Sequence, residues 1–286
     1  MSLSNSILNL QTTLTDAEDI LSLETQLAVS HRPVQELRDP QLNYNKYTVE
    51  QLHQMMPHLE WPRILSVLGI RNETVIMSQP DYYLLLDKLI VSQPLHIWKN
   101  KIRYTILDQM SIYLSKDYVQ ARFHMFDHLL QGQREDKVRW MKLIKEINQN
   151  LGDLLGQLFV SKYFSLRAKE RTIDLAQNLI SVYRQRIQRI QWLSNATKAR
   201  ALKKLEKINI KIGYPSTWKS YDDVFIDRSS YFQSIISIFQ SAYRKKIKDL
   251  GKPVDRDEWF IPVQTVNAFY VIVEIFIGET LPCFSF

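Results

Sequence analysis

A single cysteine in 286 residues, Cys283, excludes any intrachain disulfide and any cysteine-based zinc knuckle. Seven glycines are too few for the turns of a Gly-rich barrel or sandwich, and none of them forms a phosphate-cradling loop. A G-x-S-x-G nucleophile elbow is also missing. The longest apolar run, Val271 to Ile277, is interrupted by Glu274 and falls far short of the roughly 20 residues that a spanning helix needs. Met1 to Leu10 lacks a basic stretch followed by an apolar core, so no secretory leader is visible. Compartment and oligomeric state are left unassigned by the sequence. What is present is a chain 45% hydrophobic and 23% charged, which excludes a disordered protein and suffices to bury a core.

The net charge of +7 is concentrated. Between Arg184 and Lys211 stand nine basic residues (Arg184, Arg186, Arg189, Lys198, Arg200, Lys203, Lys204, Lys207 and Lys211), opposed only by Glu206. Such a stretch suits an anionic partner. Tyr183, Ile187, Ile190 and Leu193 recur beneath it at helical spacing, which favours a solvated helix face. No nucleic-acid partner is expected.

From Thr15 to Lys248 the pattern is overwhelmingly helical. Thr15 with Glu18, and Thr48 with Gln51, form capping-box signatures. Pro80 suits a first helical turn, and Ser115 to Gly132 reads as a capped and terminated helix. Val138 to Leu158 keeps helical spacing for about six turns. Gly152 and Gly156 share one side of it, and two mid-helix glycines predict a close helix crossing. Leu166 to Leu193 and Lys198 to Ile208 give two further helices, while Thr74 to Met77 and Ile208 to Ile212 are short β-prone breaks. Beyond Gly251 the composition shifts toward Val, Phe and Thr, and Val263 to Phe276 reads as strand. A boundary near Gly251 and Pro253 divides residues 1–250 from 251–286. The expected fold class is mainly α, with a short β segment at the C-terminus.

Residue chemistry alone yields no convincing catalytic centre. His124 and His128 would share a helix face, but Met125 stands where a metalloprotease motif needs its general-base Glu. His53 and His58 flank Pro57, and His31 and His96 have no partner in sequence. Asn72 and Asn195 open glycosylation-type triplets that arise often by chance. Asp255, Asp257 and Glu258 read as capping or turn residues.

Several segments nevertheless occur in a family's order and spacing. They include Glu24-Thr-Gln-Leu-Ala28, Glu36-Leu-Arg-Asp39, Tyr44-Asn-Lys46 and Gln79-Pro-Asp-Tyr82. Arg139-Trp140, Leu151-Gly-Asp-Leu-Leu-Gly-Gln157, Lys162-Tyr-Phe164 and Trp192-Leu-Ser194 follow. The series closes with Ala201-Leu-Lys-Lys-Leu205, Lys211-Ile-Gly-Tyr-Pro215, Val254-Asp-Arg-Asp-Glu-Trp259 and Thr265-Val-Asn-Ala-Phe-Tyr270. It resembles the neprilysin-like zinc metallopeptidases, which include neprilysin, endothelin-converting enzyme and bacterial oligoendopeptidase O.

The resemblance implies a two-lobed zinc endopeptidase acting on peptides and small proteins, in which a multi-helix cap covers a thermolysin-like catalytic lobe. Residues 1–250 would be the cap and 251–286 the incomplete start of the catalytic-lobe sheet. It further implies that Asn267 and Ala268 bind the substrate backbone, through the Asn side chain and the Ala carbonyl. Family members are often membrane-anchored or extracytoplasmic.

The family's H-E-x-x-H motif does not occur in this sequence, and no histidine here matches a zinc ligand. Zinc belongs to the full-length family. The expectation for this chain is no catalytic residue, no bound metal and no hydrolysis on its own. A product shortened by a frameshift near Tyr270 would account for both ends. The alternative reading is a non-enzymatic helical module that binds peptides or proteins.

Overall fold

The computed structural model describes residues 14–71, 74–271 and 276–279. Cys283, the first two residues of the Asn72 triplet and the middle of the Val271 to Ile277 run lie outside the described residues. The chain forms two compact units, one of Met1–Asp136 with Ile226–Leu250 and one of Lys137–Phe225 with Gly251–Phe286. The chain passes between the units at three points, after Asp136, after Phe225 and after Leu250, so the second unit takes residues 137–225 as well as those beyond Gly251.

The first unit begins with α1 (Leu14–Ala28) and the single-turn α2 (Val34–Leu37). Helix α1 already includes Leu14, so Thr15 lies inside it and is not its cap. Ile20, Leu23 and Leu27 are buried as their spacing requires. Strand β1 (Asn45–Thr48) feeds α3 (Val49–Met55), and here the capping box forms. Gln51 N donates to Thr48 Oγ1 at 3.1 Å, and Thr48 N donates to Gln51 Oε1 at 2.8 Å. After α4 (Trp61–Val67), β2 (Thr74–Met77) pairs antiparallel with β1, Asn45 opposite Met77 and Thr48 opposite Thr74. Helix α5 (Pro80–Ser92) starts on its proline, followed by α6 (Leu95–Met110) and a 3-10 turn. Helix α7 (Lys116–Arg122) runs directly into a π-helical segment, Phe123–Leu130. Gly132 ends it with φ +72°.

The core of this unit consists of two clusters. Leu52, Met56, Leu59, Trp61 and Met77 form one, and Leu23, Leu27, Leu89 and Ile97 the other. Beside them Asp87 is buried on α5, with its Oδ1 accepting from the backbone N–H groups of His58 and Leu59 at 2.8 and 2.9 Å. Its second oxygen meets His58 Nδ1 at 2.9 Å.

The second unit contains α8 (Arg139–Asn150), α9 (Gly152–Tyr163), α10 (Leu166–Arg189), α11 (Asn195–Glu206) and β3 (Asn209–Ile212). The six-turn helix expected over Val138 to Leu158 is two helices. Leu151, at φ −134° and ψ 35°, breaks the ladder although the apolar spacing runs straight through it. Ser165 and Ser194 cap α10 and α11 through their hydroxyls.

The chain then returns to the first unit as α12 (Tyr231–Asp249), where Phe239 meets Tyr113 edge-on at 5.9 Å. Two strands of the second unit follow, β4 (Ala268–Val271) and β5 (Phe276–Glu279). Strand β5 lies in the middle of a three-stranded sheet, parallel to β3 and antiparallel to β4. The continuous strand expected over Val263 to Phe276 is thus shorter, because Val263 to Thr265 form a turn closed by Thr265 N donating to Pro262 O at 2.9 Å. The molecule is mainly α, with short β elements.

Candidate functional site

The sequence-predicted pair sits at the start of β4. Asn267 immediately precedes the strand and Ala268 opens it, and both are exposed. Because β5 lies between β3 and β4, β4 forms an edge of the sheet, and among the described residues no strand lies along its other side. In an extended strand successive residues turn their N–H and C=O toward opposite edges. Alternate residues of β4 therefore present a donor and an acceptor outward, which is the requirement for pairing with an extended peptide.

The segment leading into β4 is anchored where the two glycines lie. Gly152 and Gly156 make no helix crossing; what approaches them is the non-helical turn segment Pro262–Gln264. A Cβ on Gly152 would stand 2.6 Å from Pro262 Cγ, and one on Gly156 would stand 2.8 Å from Val263 Cγ2 and 3.2 Å from Trp218 Cζ3. Val263 is only 2% exposed. The Gln264 amide donates to Gly152 O at 3.1 Å and to Asn148 Oδ1, tying together the end of α8 and the start of α9. Sequence reasoning missed Pro262, Val263 and Gln264. The glycine pair was the available signal, but it did not say what would approach.

The preceding segment is held by two lysine amines and an asparagine amide from β3 and the stretch that follows it. The buried Lys211 donates through Nζ to Glu258 O at 2.7 Å, Asn209 Nδ2 to Arg256 O at 3.0 Å, and Lys219 Nζ to Trp259 O at 2.9 Å. Asp257 N donates to Asp255 Oδ1 at 2.8 Å, the turn role expected for this acidic cluster. Gly213 follows β3 at φ +79°, and a Cβ there would meet Phe164 at 2.7 Å. Lys169 closes this corner, donating to Tyr214 O at 2.7 Å and standing 3.8 Å over the Tyr214 ring, and burial lowers its pKa.

On the first turn of α9, Asp153 faces Tyr221, whose hydroxyl donates to Asp153 Oδ2 at 3.4 Å. Burial first, and then the Asp153 charge, push the Tyr221 phenol from 10.0 up to about 12. A raised folded-state pKa means that this contribution to stability is complete below about pH 10 and is lost as pH rises toward 12. Urea midpoints measured from pH 9 to 12 should therefore fall less in Tyr221→Phe than in wild type. The comparison must be a difference, since burial also raises Tyr82 and Tyr104. Parallel pH profiles for the two proteins would refute the assignment.

All six histidines belong to the first unit. His124 and His128 stack at 5.5 Å on the π-helical segment, not on an ordinary α-helix, and His128 Nδ1 lies 2.9 Å from Gln133 O. His58 meets Asp87, His96 lies 3.9 Å from Asp19, and His31 Nδ1 lies 3.3 Å from Gln79 Oε1. Among the described residues no three His, Cys, Asp or Glu side chains come close enough to hold a metal ion.

Residues 3–215 match the profile of Peptidase family M13. Mouse endothelin-converting enzyme-like 1 is 28% identical over 268 residues, covering 89% of this chain and 34% of that protein. Human neprilysin is 26% identical over 272 residues, covering 88% and 36%. The zinc metalloprotease Zmp1 of Mycobacterium tuberculosis, solved with an inhibitor, superposes with a TM-score of 0.86 at 31% identity, covering 92% of this chain and 40% of that one. The chain thus spans about a third of the length of the curated relatives it matches. With the profile matched over most of its length and the helical architecture shared, this chain belongs to Peptidase family M13.

Proposed function

We propose that this chain supplies the helical cap and the peptide-binding strand of an M13 zinc metallopeptidase, and that it does not itself supply the zinc chemistry. In this reading residues 1–250 are the cap and residues 251–286 begin the catalytic-lobe sheet. Asn267 and Ala268 bind the backbone of a peptide or small protein, the Asn side chain and Ala carbonyl serving as partners. The observation that carries the reading is the position of β4, an edge strand whose first residue is exposed and whose approach is anchored on α8 and α9. Main-chain pairing of this kind recognises an extended peptide largely without regard to its sequence.

Zinc activates water for peptide hydrolysis when three protein ligands and a general base surround it. The described residues offer no such donor set, and the sequence contains no H-E-x-x-H. No step through zinc is therefore assigned to these residues. Assayed against a quenched fluorescent peptide with zinc present, the 286-residue chain should show no hydrolysis that a chelator removes. Chelator-sensitive cleavage by this chain alone would overturn the proposal.

A further inference from the structure

The hairpin formed by α10 and α11 carries a surface that peptide binding does not use. Lys198 Nζ donates to Gln188 O at 3.1 Å and Arg184 pairs with Glu206 at 3.1 Å, which closes the hairpin and consumes the stretch's one carboxylate. Arg186 and Arg189 occupy the last turns of α10, Arg200 and Lys203 share one side of α11, and Lys207 caps its C-terminal end. Among the described residues no carboxylate pairs with any of these five. The apolar stripe expected beneath the charges is only partly covered: Ile187, Ile190 and Leu193 are half-buried, whereas Tyr183 is 57% and Val182 59% exposed. At the tip, between the helices, Trp192 is 81% exposed.

We propose that this hairpin docks on an anionic lipid bilayer, with Trp192 entering the headgroup layer and the arginines and lysines meeting lipid phosphates. Cations alone would serve a nucleic acid equally well, since phosphate contacts need no apolar surface. An indole at a convex tip, with a valine and a tyrosine exposed behind it and cations on both flanking helices, is the combination suited to the membrane interface. Each cation near an anionic surface contributes roughly fivefold to partitioning, so five of them suffice for selective binding without a spanning helix.

The test is co-sedimentation of the full chain with vesicles of phosphatidylcholine alone and of phosphatidylcholine with about one third phosphatidylserine. Binding should be at least about a hundredfold tighter to the anionic vesicles and should fall steeply with salt. Trp192→Ala should weaken it about tenfold, and Arg186→Gln with Arg189→Gln roughly 25-fold. All three positions are exposed, so circular dichroism should be unchanged. Lys203→Gln with Lys207→Gln gives an independent second variant, on α11 and its C-terminal cap. Equal binding to neutral and anionic vesicles, or variants that bind like wild type, would overturn the proposal. So would homopolymeric RNA held more tightly than vesicles at the same salt and lost in the same variants, which would make the surface a nucleic-acid site.

Discussion

Alanine at both Gly152 and Gly156 should destabilise the second unit by roughly 3 kcal/mol, a large fraction of what holds a domain together. The two sites fail for different reasons. At Gly152 the new Cβ would lie 2.6 and 2.9 Å from two atoms of the Pro262 ring, which cannot rotate away, so the backbone of the segment must retreat. At Gly156 the neighbours are Val263 Cγ2 at 2.8 Å, Gln264 Oε1 at 3.0 Å and Trp218 Cζ3 at 3.2 Å, three side chains that would have to move together. Overpacking of this kind costs about 1–3 kcal/mol per site, and the gain of about 1 kcal/mol in helix propensity at Gly156 offsets only part of it. Gly132→Ala is the informative control. Nothing lies within 4 Å of its Cβ, so only the left-handed φ of +72° is penalised, at about 1 kcal/mol. Urea unfolding of the three proteins should give that order, and a double variant as stable as wild type would show that Pro262–Gln264 does not pack on α9.

Asp87→Ala should cost the first unit about 3 kcal/mol or more. The carboxylate accepts two backbone N–H groups and lies 2.9 Å from Nδ1 of the half-exposed His58 ring; alanine leaves the two backbone donors facing a small cavity, while the ring can turn to water. Hydrogen bonds to a charged acceptor contribute about 1.5–3 kcal/mol each, and a buried donor left unmet costs about 1–3. Asp87→Asn keeps one acceptor oxygen and should recover part of the loss. Equal thermal midpoints for Asp87→Ala and wild type would exclude this role.

Legibility in the sequence followed the range of the interaction. The Thr48–Gln51 box and the Pro80 start are set by residues three apart or fewer, so local pattern sufficed. The break at Leu151 was hidden because an apolar period continues unchanged across a single non-helical residue. The π turn at Phe123–Leu130 was hidden for the same reason, since His124 and His128 share a face in either helix type. Strand β1 went unread because its last residue, Thr48, carried a helix-start signal. The glycine pair announced a close approach, but its partners in Pro262–Gln264 and Trp218 lie dozens of residues or more away in sequence, beyond the reach of any local period. The proposed role of Asn267 and Ala268 comes only from family resemblance, and nothing in their own chemistry singles them out.

Amide hydrogen exchange across β4, read by mass spectrometry on the full chain with and without a millimolar extended peptide, tests the peptide-binding strand most directly. Amides within Ala268–Val271 should gain protection on adding peptide, and Asn267→Ala should reduce that gain while leaving protection of α8 and α9 unchanged. Exchange at β4 that is indifferent to saturating peptide would contradict the assignment of this strand to peptide binding.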